Sequence, residues 1–142
     1  MTQEEKQLLE EKHLLMKDLF ARLPYGVTVR VENDLFYDKK EPYDCKLTPY
    51  IFTEQLIVHN GSIMPYLRPM SSMTEKEKED FGGYIHTQSI TRQQEYKGYT
   101  VNCSHYYTVS EIDWLNEHHF DYRGLIPMGL ALEAPKDMYK TE

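Results

Sequence analysis

The hydrophobic pattern changes period at Leu23-Pro24, and that change confines the chain to folds that mix helix with sheet. Before it, Leu8, Leu9, Leu15, Met16, Leu19, Phe20 and Leu23 fall largely along one side of a helix, leaving Glu4, Glu11, Lys12 and Asp18 toward water. Thr2 and Glu5 stand at capping-box spacing, which places the helix start, and Pro24 disfavours helical geometry at the residue before it, which places the stop. After the proline, Val27, Val29 and Val31 alternate with Thr28, Arg30 and Glu32, the pattern of a half-buried strand. The helical stripe is read as packing on the domain core, because fewer than four heptads are available for a seam of self-association.

Further along, Leu35 to Tyr37, Tyr50 to Phe52, Leu56 to His59 and Ser62 to Leu67 read as short strands, with Asn60-Gly61 as the turn of a hairpin and Asp38 to Asp44 as a loop. Ser72 and Glu75 repeat the capping-box spacing before a charged helix that Gly82-Gly83 ends. His86 to Lys97 has no usable period and is expected to be an exposed loop. Tyr99, Val101, Cys103, His105 and Tyr107 alternate as a strand, and Ser110 and Asp113 open a last helix carrying Ile112, Trp114, Leu115 and Phe120. The expected fold class is therefore α+β: an N-terminal helix, a small curled antiparallel sheet in the manner of an SH3-like open barrel, and a C-terminal helical cap anchored by Trp114.

A chain of 142 residues accommodates one core of ordinary size. A single domain spanning 1–142 is expected, with an N-terminal helix over 1–23, a strand-rich core over 24–69, a short helix, loop and strand over 70–109, and a cap over 110–142. The net charge of -7 and the lack of a Lys/Arg cluster disfavour non-specific nucleic-acid binding. No run approaches the roughly 18 apolar residues that span a bilayer, and no export signal is read, so a cytoplasmic location with Cys45 and Cys103 reduced is expected.

Candidate chemistry is sparse. His118 and His119 are about 100° apart on a helix and cannot hold one ion from the same face, although one of them can cap the helix C-terminus. Cys103 and His105 share a strand face and would form a three-ligand zinc set with His118 or His119, without the compact spacing that marks such sites. Neither Cys45 nor Cys103 carries the surroundings of a Cys-His hydrolase. No metal, disulfide or cofactor is expected. Tyrosine is the compositional anomaly, at 12 residues, and suits both half-buried sheet positions and interfaces. The candidate interaction residues are Tyr96, Tyr99, Tyr106, Tyr107, His119, Tyr122 and Arg123, with Trp114 facing the core and Tyr122 and Arg123 forming an aromatic and cationic rim. The competing reading pairs Arg123 with Asp121 or a C-terminal acid, and Arg68 before Pro69 carries the same ambiguity.

The segments PYLRPMSSMTEKEKEDF (Pro65 to Phe81) and WLNEHHFDYRGLIPMGLALEAPKDMY (Trp114 to Tyr139), with LFARLPYGVTV (Leu19 to Val29), resemble a family of short proteins of uncharacterised activity from gut anaerobes and their phages or mobile elements. The resemblance covers about half of the chain. It implies a cytoplasmic accessory protein and nothing about catalysis. The leading expectation is a non-enzymatic interaction or inhibitory protein acting on a host or self protein; the alternatives are a barrel that binds single-stranded nucleic acid through stacked tyrosines, and a metal- or Cys-dependent hydrolase.

Overall fold

The computed structural model describes residues 2–33, 41–58, 62–82, 93–96, 99–102 and 107–139. Helix α1 (Gln3–Arg22) starts at the expected box: the Thr2 hydroxyl accepts the Glu5 N–H at 3.1 Å, and the Glu5 carboxylate accepts the Thr2 N–H at 3.3 Å. A 3-10 turn at Leu23–Tyr25 and Gly26, whose φ of 69° is costly for any side chain, turn the chain into β1 (Thr28–Asn33). Val27, Val29 and Val31 are buried, as their alternation requires.

Four strands form one sheet in the order β2-β1-β3-β6, where β2 is Tyr43–Lys46, β3 is Ser62–Leu67 and β6 is Leu132–Glu133. β1 pairs antiparallel with β2 and β3, while β6 lies parallel to β3 at Tyr66 and Leu67. The α+β class is as expected; the sheet is mixed and not closed into a barrel, so the parallel β6 is the departure from the expected antiparallel sheet and its SH3-like open-barrel form. The parallel edge arises because the chain returns to β3 through the helix α4 (Val109–Glu117) and a long C-terminal segment, a crossover with no local sequence mark. β4 (Gln93–Tyr96) and β5 (Tyr99–Asn102) form a separate antiparallel hairpin, with Tyr96 opposite Tyr99, so part of the interval expected to be loop is strand.

The strands expected at Tyr50 to Phe52 and Leu56 to His59 are a second correction. Thr48 caps a single turn, α2 (Pro49–Ile51), by accepting the Ile51 N–H at 3.1 Å, and the chain continues as a π-helix over Phe52–Val58. Thr-Pro is a helix-start signal, and a short apolar run does not by itself distinguish strand from helix. The π turn still buries Phe52 and Leu56 against the sheet core. The strand at Leu35 to Tyr37 and the turn at Asn60-Gly61 lie outside the described residues. So does the first part of the loop expected at Asp38 to Asp44, residues 38–40, while its end, Tyr43 and Asp44, belongs to β2.

Two apolar clusters result. The larger joins Leu15 and Leu19 of α1 to Val27, Val29, Val31, Ile63 and Leu67 of the sheet, closed by Phe52, Leu56, Leu125 and Ala131. The smaller joins Met73 and Phe81 of the α3 region (α3, Glu75–Gly82) to Trp114 and Leu115 of α4 (Val109–Glu117) and to Phe120. Trp114 is 7% exposed and stacks on Phe81 and Phe120 with ring centroids 5.0 and 5.8 Å away, so the expected anchor is in place. No helix among the described residues is long and apolar enough to cross a membrane.

Candidate functional site

The two clusters meet at the C-terminal end of α4, where the buried Asp18, Arg22, Asn116, His119 and Asp121 gather. α4 ends in a left-handed turn: the His119 N–H bonds the Asn116 carbonyl at 3.1 Å and the Phe120 N–H bonds the Leu115 carbonyl at 2.9 Å. This motif ordinarily has glycine at the position that takes positive φ. Here it has His119, at φ 64°. A β-carbon in that conformation costs roughly 1–2 kcal/mol, so packing of the imidazole must hold it. The ring lies 3.8 Å from the Tyr139 ring, stacked at 22°, and the residue is 8% exposed.

Two arginines from distant parts of the chain close on the same helix end. Arg22 Nη2 donates to the Phe120 carbonyl at 2.6 Å, and Arg68 Nη1 lies 3.4 Å from the His118 carbonyl. Cations are favoured where helix carbonyls lack partners, so both guanidiniums complement the end of α4. Arg68 is further held by a two-pronged pair with Glu77 at 2.7 and 2.6 Å and lies 4.1 Å over the Phe120 ring. Its backbone pairs with the segment after α4, accepting the Asp121 N–H at 2.8 Å and donating to the His119 carbonyl at 2.7 Å. Arg68 therefore joins β3, α3 and α4 at one point.

Beneath this clamp lies a largely buried ion group. Asp18 accepts from Arg22 Nε at 2.8 Å, both side chains being fully buried, and its other oxygen lies 3.7 Å from Arg123 Nε. Asp18 corrects its expected place toward water: it shares the stripe of Leu15, Leu19 and Arg22, which is the buried one. Among the described residues, Arg123 pairs with Asp18 rather than with Asp121. Asp121 instead accepts the N–H groups of Leu125 and Ile126 at 2.8 and 2.9 Å and shapes the following turn. Among the described residues, Asp18 Oδ1, Arg22 Nη1, Arg123 Nη1 and His119 Nδ1 have no hydrogen-bond partner.

These surroundings decide protonation. Burial, then the charges of Arg22, His118 and Arg68, pull His119 down to about 4, so it is a neutral imidazole at neutral pH. Burial alone would raise Glu77, but the bonds from Arg68 and from the Thr74 backbone outweigh it and bring the carboxyl to about 2. Burial raises Tyr122 and Tyr139, keeping both phenols protonated as donors. Tyr122 donates to Asn116 Oδ1 at 3.0 Å, between two guanidiniums whose carbons lie 5.3 and 4.8 Å from its ring. The Tyr139 hydroxyl accepts the Thr28 N–H at 2.9 Å and donates to the Tyr66 carbonyl at 2.7 Å. Thr28 and Tyr66 are the next pair after Val29 and Pro65 in the β1–β3 register, so Tyr139 bridges the strands where their own ladder stops.

His119, Tyr122 and Arg123 are thus brought together, turned inward onto α1 and the C-terminal segment. His118 takes the capping role: its Nδ1 is 2.9 Å from the Trp114 carbonyl, and its ring stacks on Trp114 at 4.0 Å. Tyr107 is half-buried with its ring 6.3 Å from Phe81. Tyr106, Cys103 and His105 lie outside the described residues, which leaves the Cys-His zinc set without a described geometry. Cys45 is half-buried on β2 beside the larger core. Among the described residues no group of three potential metal ligands comes together. Sequence reasoning passed over Asp18, Arg22 and Tyr139. An Asp-Arg pair four residues apart on the apolar stripe signals the first two, whereas nothing local marks Tyr139.

Comparison with protein-family models, with curated proteins and with solved structures finds no match.

Proposed function

We propose that the chain is a protein-interaction module that works by presenting a surface to another protein, in keeping with an accessory or inhibitory role of the mobile-element kind. The observation that carries this reading is the N-terminal half of α1. Residues 2–10 are all exposed, and Leu8 and Leu9 stand 65% and 44% accessible on a helix that meets the core from Leu14 onward. A helical segment this short is marginal by itself in water, and two leucines on its surface have no value to the core they fail to reach. A partner that covers them accounts for both. The polar groups at the end of α4 support the same reading, since the carboxylates and guanidiniums described there hold elements together, and the phenols of Tyr122 and Tyr139 do likewise. Tyr96, Tyr99, Tyr106 and Tyr107 remain the proposed second contact stretch.

The test is cross-linking of the tagged chain inside cells, read by mass spectrometry, for the parent and for a Leu8→Glu, Leu9→Glu variant. Cross-links to protein should be lost from α1 in the variant while circular dichroism stays that of the parent. Unchanged cross-links in a folded variant would remove α1 as the binding face.

A further inference from the structure

The exposed face of α1 carries two leucines flanked by an acid on one side and a base on the other. Glu5, Leu8, Leu9 and Lys12 follow one another at i, i+3, i+4 and i+7 and form one stripe along the helix. From these observations we propose that this stripe docks on the same stripe of a second copy of the chain, the two helices running antiparallel. In that arrangement Leu8 meets Leu9 of the second copy and Leu9 meets its Leu8, while Glu5 meets Lys12 at one end and Lys12 meets Glu5 at the other. A two-fold interface must be self-complementary in this sense, apolar against apolar at the centre and acid against base at each end. The parallel arrangement sets Glu5 against Glu5 and Lys12 against Lys12 and is disfavoured.

The groups concerned are able to make these contacts. Glu5 uses one carboxylate oxygen on the Thr2 N–H, at 3.3 Å, and keeps the other for a lysine. Lys12 has three donors, so an added carboxylate is compatible with its contact inside the chain. Met16, half-buried, continues the stripe toward the core and gives the paired helix a place to end. Glu4 and Glu11 border the stripe and approach their counterparts across the pair, which keeps the association weak and sensitive to ionic strength.

The inference rests on reading α1 as a binding face and names its occupant. Sedimentation of the full chain at rising concentration tests it: the apparent mass should climb from 16.9 kDa toward twice that value, and Leu8→Glu should keep it at one chain. Glu5→Lys and Lys12→Glu should each be monomeric alone, because each puts like charges at both ends, and an equimolar mixture of the two should restore the dimer. Circular dichroism of each variant against the parent verifies that α1 is intact. A parent that stays monomeric overturns the second copy as occupant but leaves the binding face standing if cellular cross-links still depend on Leu8 and Leu9. An association that survives Leu8→Glu, or a mixture of folded charge variants that fails to reassociate, overturns the antiparallel pairing itself.

Discussion

His119 concentrates the physical tensions of this molecule in a single residue. It takes a conformation that suits glycine, it is neutral because burial and the nearby guanidiniums of Arg22 and Arg68 disfavour its charged form, and its ring is held by Tyr139. Glycine at this position relieves the backbone while alanine keeps the strain, and both lose the stack. His119→Gly is therefore expected to be more stable than His119→Ala by about 1 kcal/mol, read as a higher urea midpoint; an alanine variant equal to glycine would mean that the backbone there is unstrained. The pH dependence follows from the same residue. The fold prefers the neutral imidazole, so the unfolded chain binds the proton first, and stability falls as pH drops from 6.5 toward about 4. Glu77 continues the decline: its contribution is full above 4.5 and disappears toward about 2. Thermal unfolding across this range should show both windows, and His119→Gln should flatten the upper one and spare the lower. Asp18, by contrast, was expected in water on the polarity of its side chain alone, although its stripe is that of Leu15 and Leu19.

At the scale of elements, the helix starts show how close a local reading comes and where it slips. Two starts expected at Ser72 and Ser110 lie at Thr74 and Thr108. Thr74 accepts the Glu77 N–H at 3.1 Å and Glu77 returns a bond to the Thr74 N–H at 3.0 Å, while Thr108 accepts the Glu111 N–H at 3.2 Å. Each region holds overlapping Ser/Thr and acid spacings, and the one chosen lets Phe81 and Trp114 face each other and lets Arg68 reach Glu77. Thr74→Ala and Thr108→Ala should each cost about 1 kcal/mol in chemical denaturation, and Ser110→Ala close to nothing. A loss at Ser110 with none at Thr108 would place the start of α4 at the serine after all. The π-helix at Phe52–Val58 departs further from expectation, because its apolar residues are read as strand when the Thr48-Pro49 start before them is given no weight.

For the whole molecule, the C-terminal segment decides whether sheet and helices form one body. Tyr139 bridges β1 and β3 with its hydroxyl and supports His119 with its ring, so it joins the end of the sheet to the end of α4. Tyr139→Phe keeps the ring and orphans the Thr28 N–H and the Tyr66 carbonyl, which should cost about 1–3 kcal/mol and speed hydrogen exchange at Thr28; an unchanged Thr28 exchange rate would show that the bridge is not formed in solution. Trp114→Ala should cost about 3–5 kcal/mol through the cavity left between Phe81 and Phe120, measured by the same denaturation. The sequence by itself determined the α+β class, the first helix and its box, β1 and its buried face, β3, and Trp114 as an anchor, because each is written in a local period or a cap within a few residues. Only the tertiary structure decided the parallel β6, the burial of Asp18 between two arginines, the inward turn of His119, Tyr122 and Arg123, and the bridge of Tyr139. Those features join residues far apart in the chain, and which distant groups meet depends on how whole elements pack, a property that no local window of sequence contains.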